Sequence, residues 1–162
     1  MPVRISKLGV GITQASKSAC VGTSQGLTAG AEAPSLSVTP DKYVPHRYAG
    51  ASGDFNPIHI DPEFAKAVGL PGNILHGLYT MAQVARAAVD AGGGDPRKLK
   101  RLSVQFRGMG LPEQEIVVTG SVREAGDGRV VIETEAAQGE NRIIRNAEAE
   151  IEPAARGPQP AG

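Results

Sequence analysis

An α+β fold, with an antiparallel sheet wrapped around one central buried helix, is what this sequence predicts, and three observations carry the expectation. The run from Gly77 to Val89 is apolar or small at Leu78, Met81, Ala82, Val84, Ala85, Ala88 and Val89, which wraps most of a helix in core-type residues. After the Gly92-Gly93-Gly94 break, alternation with period two takes over, at Leu102/Val104/Phe106, Ile116/Val118/Val122 and Val130/Ile132/Thr134/Ala136. The turns Gly126-Asp127-Gly128 and Gln138-Gly139-Glu140-Asn141 separate the last runs, so neighbouring strands fold back on one another. One helix followed by long strands and tight turns makes a sheet packed on that helix.

The elements follow in chain order. Residues 1–25 show no periodic apolar face and are expected to be a poorly ordered extension. They contain Arg4, Lys7 and Lys17 and no acid before Glu32, but neither an Arg-rich amphipathic pattern nor the apolar core of a signal peptide. One domain then spans 26–152. Leu36–Val38 is a short strand. Thr39 with Pro40 behind it is a cap-and-first-turn signal, so a helix is expected there, carrying Tyr43, Val44, Arg47 and Tyr48. Pro45 clashes one turn back in such a helix and predicts a kink or a break. Asp61-Pro62-Glu63 repeats the signal for a short helix from Pro62 to Val68, which Gly69 ends. The segment 53–73 therefore reads as an overhang rather than a strand. Arg142–Ile151 closes the sheet, and the Pro/Gly-rich tail 153–162 is expected to be disordered.

Composition narrows the function classes. With 162 residues, 40% hydrophobic and 21% charged, the chain suits one soluble domain with a core of its own. Seventeen basic and seventeen acidic side chains cancel, so no basic field points to nucleic acid or an anionic lipid surface. No apolar run is long enough to span a bilayer, and a cytoplasmic location is expected. The single Cys20 excludes an internal disulfide and a multi-cysteine metal site. No His/Cys/Asp group has metal-ligand spacing and no glycine-rich phosphate loop appears, so neither a metal nor a cofactor is expected.

Chemistry concentrates in Ser52-Gly53-Asp54-Phe55-Asn56-Pro57-Ile58-His59, which sets a carboxylate and an imidazole five residues apart around an Asn-Pro turn. His76-Gly77 follows at the expected start of the apolar helix. A carboxylate, an imidazole and a helix-start amide are what proton movement beside a thioester carbonyl requires.

The wider stretch Tyr48–Ala65, continuing through Gly69 to Ile74-Leu75-His76-Gly77, resembles the hydratase 2 motif of the MaoC-like dehydratases, single-domain hot-dog proteins. Gly77–Ala88 and Leu102-Ser103-Val104-Gln105-Phe106 look most like the B-type subunit of actinobacterial (3R)-hydroxyacyl-ACP dehydratases. The resemblance is dense over 39–106 and looser to 152. It implies a hot-dog fold and an (R)-specific enoyl-thioester hydratase, equivalently a (3R)-3-hydroxyacyl-thioester dehydratase, of fatty-acid or polyketide metabolism. It also implies a substrate carried on CoA or acyl carrier protein. Asp54 and His59 would hold water and exchange protons with it and with C2, and the Gly77 N–H would hold the thioester oxygen. Pro57 would fix the turn that points both side chains inward, Asn56 would stabilise that turn or touch water or substrate, Ser52 is counted with them as a supporting or substrate-binding residue, and His76 would pack or cap at the helix start. Tyr79, Met81 and Val84 are candidates for an acyl tunnel but are explained as well by core packing. Lys100, Arg101 and Arg107 are candidates for a phosphate contact and equally for a solvated strand face. A homodimer is expected, with a heterodimer with a related hot-dog subunit as the alternative. Two other readings are a catalytically silent hot-dog subunit and a hot-dog acyl thioesterase. The intact Asp54/His59 pair speaks against the first, and the lack of an acid on the helix before Asp90 against the second.

Overall fold

Residues 27–152, with the exception of position 127, are described by a computed structural model. The expected extension 1–25 and the tail 153–162 lie outside the described residues. The chain runs β1 (Glu32–Val38), α1 (Val44–Ser52), α2 (Pro57–Ile60), α3 (Pro62–Ala67), α4 (Gly77–Ala91), β2 (Leu99–Phe106), β3 (Ile116–Gly126), β4 (Arg129–Gln138) and β5 (Asn141–Ile151). The strands form one antiparallel sheet in the order β1-β3-β4-β5-β2, and α4 lies across one face of it. This is the hot-dog fold that the sequence pattern and the resemblance predict.

Alternation sets the two faces. Ile116, Val118, Ala136, Ile143, Ile144 and Ala147 meet Val84 and Ala87 of α4, while Val122, Ile132, Ala149 and Ile151 meet Ala88 further along the helix. Small residues on α4 let the strands approach closely. The opposite face of the sheet is polar and laced with ion pairs, among them Arg123 with Glu133 and Glu148, and Arg142 with Glu135. Exposed pairs of this kind add little stability; their use is to keep that face wet.

Two expectations are corrected. No helix begins at Thr39. Pro40 is buried, and its carbonyl accepts the Glu113 N–H at 2.7 Å, which commits this stretch to a loop against the strand connection. Asp41 makes the turn instead, its side chain accepting from the Tyr43 N–H and its carbonyl from the Val44 N–H, and α1 starts at Val44. Pro45 thereby falls in the first turn, where no intrahelical bond from its nitrogen is called for and the missing N–H costs nothing. It produces a helix start and no kink.

The second correction concerns α4. Its surface is not buried all round: Leu78, Ala82, Arg86 and Asp90, spaced by four, form an exposed stripe, with Leu78 58% exposed. Gln83, a polar residue of this helix, is buried.

Candidate active site

The loop between α1 and α2 is built by short-range bonds that its residue types dictate. Gly53 ends α1 with φ +78°, and its N–H reaches Ala49 O at 2.8 Å, a left-handed cap that suits glycine. The Ser52 hydroxyl, which donates to Tyr48 O, accepts the Asp54 N–H at 3.2 Å. The Asp54 carboxylate then accepts the Asn56 N–H at 3.2 Å, and the Asn56 carboxamide accepts the Ile58 N–H at 3.3 Å. Pro57 occupies the first turn of α2 behind the Asn56 cap. Each of these side chains bonds the backbone two residues on, the habit that makes Ser, Asp and Asn turn formers. The relay carries the chain from Asp54 to His59 with little freedom.

His59 is buried, at 8% exposure, and its Nδ1–H donates to Ile74 O at 2.9 Å. That bond fixes the tautomer and leaves Nε2 as a bare acceptor. Nε2 lies 3.9 Å from Asp54 Oδ2, and the Asp54 side chain is 53% exposed. Asn73 and Ile74 hold the stretch around His59 from the other side: the Asn73 carboxamide donates to His59 O at 3.1 Å and the Ile74 N–H to Ile58 O at 3.0 Å.

His76 joins the pair although it is 17 positions further along. It is 2% exposed, and its ring stacks on that of His59 with centroids 3.8 Å apart and planes 24° apart. Its Nε2–H donates to the Asp54 carbonyl at 3.0 Å, and the same nitrogen lies 3.9 Å from Asp54 Oδ2. Tyr48 packs against His76 at 4.7 Å, and Tyr79 meets Tyr48 edge-on at 6.1 Å. Burial pushes the Tyr79 phenol above its ordinary value.

Gly77 opens α4 behind His76, whose side chain makes no cap bond to the helix. As the first helical residue, Gly77 has no intrahelical partner for its N–H, and the helix start carries positive partial charge. The Phe106 ring lies directly over it: a Cβ at position 77 would sit 3.2 Å from Phe106 Cε1. The glycine is what lets the ring, or a carbonyl, come so close.

Asp54, His59 and His76 offer ligand-type atoms within 4.8 Å of one another, a cluster that sequence spacing did not reveal. The donor set suits proton chemistry better than an ion. Near Asp54, His76 presents a nitrogen whose proton is already given to a carbonyl, so that nitrogen has no lone pair to offer an ion.

The structure thus brings together Ser52, Asp54, Asn56, Pro57, His59, His76 and Gly77. Val84 is fully buried in the core under the sheet. Met81 and Tyr79 are half-buried at the edge of that core. Lys100, Arg101 and Arg107 are exposed on or just beyond β2, where Lys100 pairs with Glu152 at 3.1 Å and Arg107 donates to Gln105. Sequence reasoning missed the part of Tyr48, the carbonyl of Ile74 and the Phe106 ring over Gly77. All three residues lay inside the quoted stretches, but the contacts of Ile74 and Phe106 are long-range and spacing does not encode them.

An antiparallel sheet around a helix, with a carboxylate–imidazole pair set at the helix start, defines a class of hot-dog proteins. Within that class the chain belongs to the MaoC-like domain family, whose model matches residues 27–142. It is similar to a fatty acid synthase beta subunit, pigK, from Monascus ruber, with 37% identity over 110 residues. It is also similar to the fatty acid synthase subunit beta of Saccharomyces cerevisiae, with 35% identity over 119 residues. These matches cover 65% and 69% of this chain but only 5% and 6% of those subunits. Among solved structures, a MaoC-like dehydratase superposes with a TM-score of 0.74 and 26% identity, covering 79% of this chain and 41% of that one. The (R)-hydratase from A. caviae involved in PHA biosynthesis gives 0.72 at 22% identity, covering 80% and 99%, which is a likeness of fold. A chain of the ChsH1-ChsH2 complex from Mycobacterium tuberculosis gives 0.70 at 20% identity, covering 78% and 98%.

Proposed function

We propose that this chain is an (R)-specific enoyl-thioester hydratase, equivalently a (3R)-3-hydroxyacyl-thioester dehydratase, acting in fatty-acid or polyketide metabolism on acyl groups carried by CoA or acyl carrier protein. The observation that carries the reading is His59 held with a bare Nε2 facing the Asp54 carboxylate beside the start of α4. The 3.9 Å separation leaves each group free to bond one shared water. In hydration, His59 Nε2 takes a proton from that water, its oxygen bonds C3, and the pair returns a proton to C2 on the same face. Charge developing on the thioester oxygen is held by the Gly77 N–H, a donor whose loss elsewhere costs about 2.7–4 kcal/mol. Dehydration runs through the same steps reversed. Asn56, Pro57 and Ser52 keep the loop in shape, and the reaction calls on no metal or added cofactor.

Family membership and the similarity to fatty acid synthase beta subunits support this reading. The ChsH1-ChsH2 complex is consistent with pairing of such domains, and we take the chain to be a homodimer, with a heterodimer with a related hot-dog subunit as the variant. We take the chain to act in the cytoplasm; no helix among the described residues is long and apolar enough to cross a membrane. The test is purified protein with crotonyl-CoA: loss of enoyl absorbance with formation of the 3R alcohol is expected. Release of free CoA without hydration would point to a thioesterase, and a mainly 3S product would refute the assignment.

A further inference from the structure

His76 is a buried, polar residue for which the proposed reaction leaves no step. We propose that it is a positioning residue for the proton-moving pair, an inference that rests on the reading of Asp54 and His59 given above. Its single side chain touches both partners: Nε2–H holds the Asp54 carbonyl at 3.0 Å, and the ring is the surface on which the His59 imidazole stacks at 3.8 Å. Its backbone, with φ −62° and ψ 134°, leads directly into the first residue of α4, so the same residue also sets where the Gly77 N–H starts.

Two observations separate this from plain packing. Among the described residues, the other hydrogen bonds of the loop 53–56 run to residues within four positions; the bond to His76 spans 22 and ties the loop to α4. His76 Nδ1 is buried without a partner. A site that needed only a ring would be filled at lower cost by phenylalanine, which buries no unpaired nitrogen. The imidazole is retained because one edge must donate to Asp54 while one face supports His59. Tyr48, packed on the His76 ring, and Tyr79 behind it complete a chain of aromatic contacts that holds the imidazole in place.

The experiment compares wild type, His76→Phe and His76→Gln in crotonyl-CoA hydration, with thermal melts and kcat–pH profiles for each. The phenylalanine keeps the stacking surface and removes the donor; the glutamine restores a donor. His76→Phe should melt near wild type, with kcat lowered about tenfold or more and KM within about twofold, the pattern of a displaced catalytic group. His76→Gln should recover most of kcat and keep both limbs of the wild-type pH profile. Wild-type kcat in His76→Phe overturns the inference, as does equal impairment of the two folded variants. A lost limb in the profile of His76→Gln overturns it too, because His76 would then itself carry a proton. If His76→Phe does not fold, His76→Met against His76→Gln makes the same comparison. Wild-type protein that hydrates nothing refutes the function reading and this inference with it; unaffected His76 variants of an active enzyme refute only the inference.

Discussion

Asp54 and His59 are joined by a turn in which the Ser52, Asp54 and Asn56 side chains each bond the backbone nearby, so their relative placement was legible from local sequence. Asp54→Asn or His59→Gln should leave the fold intact and lower turnover at least about a hundredfold, the low end for a positioned acid–base group. Near-wild-type turnover in either variant removes that residue from the mechanism. Gly77 offers a second test at this scale. Alanine there would press a methyl group against the Phe106 ring at 3.2 Å, and the ring, 47% exposed, has room to move. Gly77→Ala should therefore fold and lose about tenfold or more in turnover, because a shift of this size at a reacting group is expensive. Adding Phe106→Leu should recover part of the loss; no recovery would show that the methyl group obstructs the substrate directly. The contact could not be read from the chain, since Phe106 lies 29 positions beyond Gly77 on an edge strand.

At the scale of elements, patterning worked where the neighbours are sequential and failed where they are not. The strand pairs β3–β4 and β4–β5 follow from alternation and tight turns, and α3 follows from Asp61, whose carboxylate accepts from the Glu63 and Phe64 N–H groups as a cap should. Thr39-Pro40 carried the same kind of signal and makes no helix, because Pro40 O is taken by Glu113 from the connection between β2 and β3. A local signal loses when a long-range partner claims the backbone group it needs. Gly120 marks another such constraint. A Cβ there would meet Glu133 O at 2.5 Å and Thr134 Cγ2 at 2.6 Å, so β3 and β4 approach too closely at this point for any side chain. Gly120→Ala should destabilise the protein by about 1–3 kcal/mol, the range for overpacking against a backbone that yields little. Urea denaturation reads this directly, and an unchanged midpoint would mean that the strands spread apart freely.

At the largest scale, the described residues of one chain leave apolar side chains exposed. Leu78 on the open stripe of α4, Phe55 and Phe64 on the overhang, and Phe106 and Met109 at the end of β2 are all exposed. Strand β2 is also a sheet edge with free backbone groups. Surface of this kind marks an interaction site more often than a resting state. Light scattering at micromolar concentration should therefore give about twice the 16.8 kDa of one chain. A mass near 16.8 kDa with full activity would show that a second subunit is unnecessary.

The sequence by itself determined the sheet-on-helix architecture, the overhang and the Asp54–His59 pair, since periodicity and i-to-i+2 turn bonds are local properties that any tertiary context must accommodate. Only the tertiary structure decided that α1 begins at Val44, that α4 keeps one open flank, that Phe106 covers Gly77, and that His76 stacks on His59 while holding Asp54. Each of these depends on which distant group reaches a given backbone atom or ring first, and that competition is settled by packing the whole domain.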